Sequence, residues 1–430
     1  MREMKDSGTT WLGEIPASWD IARIGSFYKL RNTKVSDADY SPLSVTNKGV
    51  VPQLETAAKT NAHDDRKLVK KGDFAINSRS DRRGSCGIAP YDGSVSLINT
   101  ILSPMGEMNP QYYDWLFHTI EFGDEFYKCG HGIVDDLWTT GWQDMKKILI
   151  PCPSLSEQGK IASHLDSKCS EIDAISADIQ KEIKTLEQYK RSVITEAVTK
   201  GLNPDAEMKD SKNPRIGTIP AHWNAHKIKY YIKSISSGLS AITSDSSSSE
   251  SGKYVLRTSA VSTGVFKPNE VKAVLENAID RLVCPVEVDT LVMSRMNTAE
   301  MVGYCAYIDK PYPNYYLPDK LWKIHTQPSL YAKYAWFVIN SSVSHRWFAS
   351  IATGSSLSML NISLLDFERL VIPVPPRSEQ NCIADFLDKK CNEVDTTIQE
   401  KRQQLMILDS YKKSLIYEYV TGKKEVPAQN

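Results

Sequence analysis

The chain repeats its own segments, and this repeat limits its possible folds more than any other feature. IPCPSLSEQGKIASHLD at 150–166 returns as IPVPPRSEQNCIADFLD at 372–388, a spacing of 222 residues. Near the start, MKDSGTTWLGEIPASW recurs 204 positions later as MKDSKNPRIGTIPAHW. Self-similarity at such spacings predicts two structural copies, about 4–207 and 208–430, the second longer by insertions.

The ends of the two copies are alike and their middles differ. The best match between the middles is VKKGDFAINSR (69–79) with VEVDTLVMSR (286–295), and Gly132 matches Gly354. Each middle is predicted to be a mixed α+β domain of roughly 150 residues, and TSDSSSSES (243–251) a flexible loop. The predicted strands are SPLSVT, GDFAINS, KYVLRTS, DTLVMS and RLVIPV. The predicted helices of the middles are QYYDWLFHTIEF and YAKYAWFVINSSVSHRWF.

After each Ser-Glu-Gln the apolar residues follow a heptad period, which predicts a helix of about 43 residues in each copy. Ser156 and Ser378 are the predicted N-caps, and Gly201 and Gly422 the predicted C-caps. The seam positions are Leu165, Ile172, Ile179, Leu186 and Val193 in the first helix and Leu387, Val394, Lys401, Leu408 and Leu415 in the second.

The small domains cannot bury such long helices, so each helix is predicted to pair with the other in an antiparallel coiled coil. Lys401 is a polar seam residue that would help to fix the register. The alternative is that the helices pair with a second copy of the chain or with another protein.

Composition adds limits of its own. The 52 Lys+Arg residues balance 52 Asp+Glu, so nucleic-acid binding would need an uneven distribution of charge. No apolar run reaches the roughly 18 residues of a membrane span, and no leader pattern is present, so a cytoplasmic protein without membrane contact is expected. The 8 cysteines form no CxxC pair, which predicts reduced thiols and neither a zinc ribbon nor a thioredoxin-type site.

Catalytic motifs are missing from the sequence. It contains neither G-x-x-x-x-G-K-[ST] nor G-x-G-x-x-G. HWNAH (222–226) lacks the glutamate of a zincin. DKPY (309–312) lacks the first proline of the Asp-Pro-Pro-Tyr loop of amino-methyltransferases. PDAEMK (204–209) contains the letters of a nuclease motif but places its carboxylates on one short linker. The sequence therefore predicts neither an enzyme nor a metal site.

Nucleic-acid binding is better supported. The segment RKLVKKGDFAINSRSDRR (66–83) carries a net charge of +5 and presents RSDRRG as a loop after a predicted strand. SRMNTAE follows the matching strand of the second copy, and CGHGIV (129–134) and ATGSSLS (352–358) are matched polar loops. A solvated charged face and ordinary turns are the alternatives. The candidate DNA-binding residues are Asn77, Ser78, Arg79, Arg82, Arg83, Arg257, Thr258, Ser294, Arg295, Asn297, Ser355 and Ser356.

The chain resembles the specificity subunits of type I DNA restriction-modification systems over essentially its whole length. The residues that carry the resemblance are LGEIPASW, IGTIPAHW, GDFAINSR, the two Ser-Glu-Gln junctions and the helix ends LEQYKRSVITEAVTKG and LDSYKKSLIYEYVTGK. The junction followed by a long helix, occurring twice, is the specific part of this pattern.

The resemblance implies two target-recognition domains (1–152 and 204–374) and two spacer helices (153–203 and 375–425) about a pseudo-two-fold axis. Each domain would read one half of a split, asymmetric site on double-stranded DNA. The helices would dock two modification subunits, and restriction/translocase subunits would complete the complex. It implies no cofactor in this chain: S-adenosylmethionine, ATP and Mg²⁺ would belong to the partners. Two other functions stay open, a coiled-coil scaffold without DNA readout and a self-contained methyltransferase.

Overall fold

The computed structural model describes residues 2–53, 64–79, 83–133, 138–240, 243–244, 252–356 and 359–427, with 243–244 and 355–356 described by their backbone alone. The predicted serine loop 243–251 therefore lies almost wholly outside the described residues. The chain forms two compact units. Unit 1 is Met1–Gln180 with Arg402–Asn430, and unit 2 is Lys181–Lys401.

Unit 1 is a set of small antiparallel sheets. Its strands are β1 (Met4–Asp6), β2 (Glu14–Pro16), β3 (Asp20–Arg23), β4 (Tyr28–Arg31), β5 (Lys34–Val35), β6 (Leu43–Thr46), β7 (Gly49–Pro52), β8 (Arg66–Val69), β9 (Phe74–Asn77), β10 (Cys86–Ile88), β11 (Gly93–Val95), β12 (Asn99–Pro104) and β13 (Leu149–Cys152). The sheet orders are β1-β2, β3-β13, β10-β9-β12-β4, β11-β8-β5 and β6-β7.

Unit 2 repeats part of this arrangement. Its strands are β14 (Met208–Asp210), β15 (Thr218–Pro220), β16 (Asn224–Lys227), β17 (Ile232–Ser237), β18 (Thr243–Ser244), β19 (Tyr254–Leu256), β20 (Val271–Val274), β21 (Thr290–Ser294), β22 (Met296–Asn297), β23 (Cys305–Ile308), β24 (Tyr315–Tyr316), β25 (Leu321–Thr326), β26 (Thr353–Ser356), β27 (Met359–Asn361) and β28 (Val371–Val374). The sheet orders are β14-β15, β16-β28, β17-β25-β21-β23, β18-β20-β19-β24 and β22-β27-β26.

The sheets of the repeated segments match one to one. The pair β1-β2 corresponds to β14-β15, and the four-stranded sheet β4-β12-β9-β10 has the same order as β17-β25-β21-β23. Unit 2 adds the four-stranded sheet that contains β19 and β20. All five predicted strand segments are strands, because each combines β-branched or aromatic residues with a turn at its ends.

The helices are α1 (Pro110–Phe117), α2 (Ile120–Lys128), α3 (Trp142–Met145), α4 (Leu155–Lys200), α5 (Ala332–Ile339), α6 (Ser342–Ile351), α7 (Leu364–Glu368) and α8 (Arg377–Val420). Each predicted helix of the middles is divided in two, since Thr119 and Ser341 accept backbone hydrogen bonds as N-caps of new helices. The prediction of a mixed α/β fold with two long helices is confirmed.

The predicted N-caps of the long helices are wrong, because Ser156 and Ser378 lie inside α4 and α8. Ser154 caps α4, and its hydroxyl accepts from Glu157 N at 3.3 Å and donates to Glu157 Oε2 at 3.0 Å. In α8, Pro376 O accepts the N–H of Glu379 at 2.9 Å. Each helix therefore starts earlier than predicted, since proline is tolerated beside a first turn whose N–H groups have no helical partner.

Both predicted C-caps are confirmed by their backbone. Gly201 and Gly422 have φ of 76° and 71°, a left-handed conformation that glycine adopts without a Cβ penalty. The N–H of Gly201 donates to Ala197 O at 3.1 Å, and that of Gly422 donates to Tyr419 O at 3.1 Å.

Each unit contains the start of one long helix and the end of the other. In unit 1, Leu165 and Ile172 of α4 share a hydrophobic core with Leu415 and Val420 of α8. In unit 2, Val198 of α4 shares a core with Ile383 and Leu387 of α8. These shared cores hold both helices onto the sheets of each unit.

The predicted seam residues are all at least partly buried. Those that are buried are Leu165, Ile172, Leu387, Val394 and Leu415. Those that are partly exposed are Ile179, Leu186, Val193, Lys401 and Leu408. Ile175, which lies between the seam positions Ile172 and Ile179, is 50% exposed.

Candidate nucleic-acid interface

In unit 1, the backbone continues past β9 into a small irregular sheet. The N–H of Thr140 donates to Ser78 O at 3.0 Å, and Arg79 pairs with Thr139, which in turn pairs with His131. The candidate loop CGHGIV therefore lies beside the candidate arginine, although about fifty residues separate them in the sequence.

Unit 2 has the same arrangement at the matching place. Strand β22, which follows Arg295, pairs with β27, and β27 pairs with β26. The N–H of Ile362 donates to Arg295 O at 2.9 Å. Ile362 stands 222 residues after Thr140, so the two donors occupy matching positions of the repeat, while the acceptors Ser78 and Arg295 differ by one position. We call each arrangement a strand extension: 77–79 with 129–133 and 138–140, and 294–297 with 353–356 and 359–362.

Two arginines are exposed at the first strand extension, Arg79 within it and Arg83 just after it. Arg79 is exposed, and among the described residues no ion pair holds its guanidinium. Arg83 lies with Cζ 3.9 Å from the ring centroid of Tyr127, and its Nη1 donates to Asp124 Oδ1 at 3.0 Å. The ring of Trp138 lies 5.4 Å from that of Tyr127. Together with Asn77, Ser78 and Phe122 these side chains line a pocket.

The arginine of the second strand extension is held by hydrogen bonds. Arg295 Nε donates to Asp319 O at 3.0 Å, and Nη1 donates to Asn361 Oδ1 at 3.2 Å. Asn297 Nδ2 donates to Ser294 Oγ at 3.4 Å, and Ser294 is buried. These hydrogen bonds fix the orientation of the second arginine, whereas the part of the chain that the structure describes offers Arg79 no ion pair.

The other candidate residues fall in three places. Asn77 and Ser78 are buried, with Ser78 Oγ 2.7 Å from Thr100 Oγ1. Arg257 and Thr258 follow β19, away from β22 in the topology, and Arg257 Nε donates to Val271 O at 3.1 Å. Arg82 lies outside the described residues, and Ser355 and Ser356 are described by their backbone alone, in β26.

The described cations of the basic segment 66–83 do not all lie at the surface. Arg66 is buried, and its Nε donates to Ser94 Oγ at 2.8 Å. Lys67 Nζ donates to Asn99 O at 2.7 Å. Burial lowers the pKa of both side chains from their ordinary values. Two of the segment's cations therefore hold the sheets together, because β8 carries them into the interior.

Sequence reasoning missed the aromatic partners of this site. Tyr127 and Trp138 meet Arg83 only after the chain folds, and no spacing in the sequence signals that contact. Asn361 could have been found, because it stands 222 residues after Thr139 in the matched region. Within the described ranges no group of three metal-binding side chains occurs, and no helix there is long and apolar enough to cross a membrane.

Comparison with known proteins defines the class. Residues 223–406 match the family described as Type I restriction modification DNA specificity domain. The chain is 23% identical over 438 aligned positions to the type I restriction enzyme MjaVIII specificity subunit of Methanocaldococcus jannaschii, covering 97% of this chain and 95% of that subunit. It is 23% identical to the EcoKI specificity subunit of Escherichia coli over 64% of this chain and 58% of that subunit.

Solved structures agree in fold. A chain from a study of complex assembly and conformational transition of the type I R-M system superimposes with a TM-score of 0.70 at 13% identity, covering 95% of this chain and 99% of that one. The HsdS subunit from Thermoanaerobacter tengcongensis gives a TM-score of 0.50 at 15% identity, covering 95% and 98%.

The class defined by these matches is that of DNA specificity domains. The resemblance of the whole chain to the specificity subunits of type I restriction-modification systems, predicted from its repeated junctions, is confirmed. Its relatives are named as specificity subunits of such enzymes, and on that ground the prediction of a non-catalytic chain is confirmed.

Proposed function

We propose that this chain recognises DNA through its two units, each reading one half of a bipartite, asymmetric sequence in double-stranded DNA. The observation that carries this proposal is the strand extension, which occurs at matching positions of both units with different side chains. A common frame that presents different polar groups is what two different half-sites require.

The side chains of the first extension suit contact with DNA. The exposed guanidinium of Arg79 can bond to phosphate or, with two donors, to the O6 and N7 of guanine. The Cζ of Arg83 already lies 3.9 Å from the centroid of an aromatic ring, and this contact limits the positions that its donors can take. In the second extension, the fixed Arg295 leaves readout to its neighbour Asn297 and to strand β26 (353–356).

We further propose that α4 and α8 pair as an antiparallel coiled coil that spaces the half-sites. Three ion pairs support this: Asp173 with Lys412 at 2.6 Å within unit 1, and Glu182 with Lys401 at 2.7 Å and Lys190 with Asp395 at 2.6 Å within unit 2. Residue numbers rise along α4 while those of its partners fall along α8, as antiparallel pairing requires. Lys401, the polar seam residue, takes part in one of these pairs.

The partners follow from the family. Two modification subunits would dock on the helices and bring S-adenosylmethionine, and restriction/translocase subunits would bring ATP and Mg²⁺. The complex would work in the cytoplasm and without a membrane. Within this chain, the proposed recognition domains are 1–152 and 204–374, and the proposed spacer helices are 153–203 and 375–425.

The test is co-expression of the full chain with its modification subunit, followed by genome-wide mapping of adenine methylation. The expected result is one bipartite motif with two unlike halves. Replacing one middle with that of a relative should change one half of the motif and leave the other. Methylation that ignores sequence, or no DNA retention by the complex, would instead support a scaffold, and binding of S-adenosylmethionine by the chain alone would support a methyltransferase.

A further inference from the structure

The two junctions where the domains meet the long helices have the same construction. In unit 1, Trp19 is fully buried, and its Nε1 donates to Glu157 Oε1 at 3.3 Å in the first turn of α4. In unit 2, Trp223 is also fully buried, and its Nε1 donates to Glu379 Oε2 at 3.0 Å in the first turn of α8. These are the tryptophans and glutamates of the repeated motifs.

Each of these tryptophans also contacts the end of the other long helix. A Cβ added to Gly422, just past α8, would lie 2.9 Å from Cη2 of Trp19. A Cβ added to Gly201, just past α4, would lie 3.1 Å from Cζ2 of Trp223. One indole therefore joins three parts of each unit: the domain, the start of one long helix and the end of the other. We call the two sets Trp19–Glu157–Gly422 and Trp223–Glu379–Gly201 the clamps.

A basic side chain lies against each carboxylate. Arg2 forms an ion pair with Glu157, and His222 Nε2 lies 2.9 Å from Glu379 Oε2. Burial raises the pKa of Glu157, but the hydrogen bonds from Arg2, Trp19 and Ser154 outweigh it and leave the pKa below its ordinary value. The carboxylate of Glu157 is thus ionised at neutral pH and accepts a charge-assisted hydrogen bond from Trp19.

The glutamine of each Ser-Glu-Gln adds a second attachment. Gln158 Oε1 accepts from Asn109 N at 2.8 Å, and its Nε2 donates to Pro153 O at 2.9 Å. Gln380 Oε1 accepts from Tyr331 N at 2.7 Å, and its Nε2 donates to Pro375 O at 2.9 Å. Both glutamines are buried. The start of each helix is therefore hydrogen-bonded to the domain through two adjacent residues, the Glu and Gln of Ser-Glu-Gln. These two attachments restrict rotation of the helix against the domain.

The C-terminal ends of the two long helices also have hydrogen-bonding partners in the domains. Tyr112 Oη donates to Val420 O at 2.7 Å in the last turn of α8, and Tyr334 Oη lies 3.4 Å from Val198 O near the end of α4 and 3.1 Å from Pro373 O of β28. Both tyrosines are fully buried. Carbonyl groups at a helix end lack helical partners, so these hydroxyls fix the ends where a free helix would fray.

We propose that the two clamps set the spacing between the DNA half-sites that the protein accepts, by fixing the angle at which each long helix leaves its domain. This inference rests on the proposed function. A helix of 46 residues, such as α4, is about 69 Å long. A rotation of about 3° at one end moves the other end by about 3.6 Å, which is close to the 3.4 Å rise of one base pair. Small changes at a clamp thus act on spacing, while the strand extensions that face the bases are untouched.

The test uses the full chain co-expressed with its modification subunit and a plasmid library. Each plasmid carries the two half-sites mapped for the wild-type protein, separated by spacers from three base pairs shorter to three longer than the native spacer. The variants are Trp223→Phe, which removes the indole donor and part of the ring against Gly201, and Glu379→Gln, which keeps an acceptor but loses the charge. Glu393→Gln is the matched control, because it makes the same change on the exposed surface of α8.

Wild-type protein and Glu393→Gln should methylate one spacer length, with both half-site sequences intact. Trp223→Phe should lower the discrimination against neighbouring lengths by about tenfold, the effect of losing one charge-assisted hydrogen bond. Glu379→Gln should lower it by less. Trp19→Phe and Glu157→Gln, with Glu171→Gln as control, should repeat the result in unit 1.

Unchanged spacer discrimination in Trp223→Phe and Glu379→Gln would overturn the inference. Loss of all methylation by folded variants would overturn it too, since the clamps would then serve assembly rather than spacing. If thermal unfolding shows that Trp223→Phe does not fold, Glu379→Gln decides. Absence of any bipartite motif with the wild-type protein would instead refute the proposed function.

Discussion

The two strand extensions share a backbone and differ in what their arginines do. Arg79 and Arg295 both follow a central strand at matching positions of the repeat, yet Arg79 is exposed and Arg295 donates to Asp319 O and Asn361 Oδ1. The repeated backbone thus fixes the position of each arginine in its sheet, and the neighbouring groups determine whether the side chain is exposed. The difference is expected in two recognition units that serve different half-sites.

The largest expected effect is weaker binding of one DNA half-site when the arginines at the first strand extension are removed. The double variant Arg79→Ala/Arg83→Ala should weaken binding of one half-site by about a hundredfold, because each arginine contact contributes about 1–3 kcal/mol. The measurement is methylation and DNA retention with each half-site varied in turn. Lys71→Ala removes an exposed cation of the same unit and is the control. Unchanged methylation in the double variant would remove these residues from the interface.

Acidification should destabilise unit 2 through a buried histidine that has no counterpart in unit 1. Burial lowers the pKa of His345 in unit 2 to about 4, with Arg191 contributing, and the matching position in unit 1 is Gly123. In the unfolded chain, His345 takes up a proton near pH 6.5. The contribution of the neutral, buried imidazole to the free energy of unfolding is therefore complete above that pH. It is lost as the pH falls from about 6.5 to about 4, by up to about 3 kcal/mol.

The comparison between wild type and His345→Gln in thermal unfolding at pH 7.5 and 4.5 checks this. The variant should lose less stability on acidification than the wild type. His226→Gln, at an exposed histidine of the same unit, is the matched control. An identical pH dependence in His345→Gln and wild type would contradict a neutral buried imidazole.

Conservative replacement of the two arginines should sharpen the contrast. Arg295→Lys loses the planar fork that reaches two acceptors, so the free energy of unfolding should fall by about 1–2 kcal/mol. Arg79→Lys should change it by less than about 0.5 kcal/mol, as expected for an exposed site. Denaturant unfolding of both variants measures this, and equal losses would mean that Arg79 is also held by its surroundings.

The smallest effect concerns the aromatic support of Arg83. A double-mutant cycle with Arg83→Ala and Tyr127→Ala should give a coupling energy of about 0.5–1 kcal/mol in unfolding, as an exposed cation–π contact does. Tyr127→Phe keeps the aromatic face and should retain most of the coupling. A coupling near zero would show that the stacking does not order this arginine.

Local patterns in the sequence predicted a large part of the fold. Alternating β-branched residues between turns marked β9 and β21, and glycine after an apolar heptad run marked the ends of α4 and α8. The predicted cap of α4 is wrong because the glutamate of Ser-Glu-Gln bonds back to Ser154 and not to Ser156 beside it. Ser154 is one position before the helix and forms that capping box.

The candidate site was harder to predict, since it depends on contacts between distant segments. The sequence placed Arg66 and Arg79 in one basic stretch, but β8 buries the first and the strand extension exposes the second. It gave no sign that Tyr127 would support Arg83. Charge can be counted from the sequence, whereas its exposure is a property of the packed chain.

By itself, the sequence determined two copies of one frame and two long helices, because periodicity, proline and glycine act over a few residues. The tertiary structure alone decided that the end of each helix returns to the clamp of the other copy's domain, where Gly422 meets Trp19 and Gly201 meets Trp223. Such contacts join residues that are far apart in the chain, and no local preference encodes them. They form because the apolar faces of both helices are buried only when each unit contains the start of one and the end of the other.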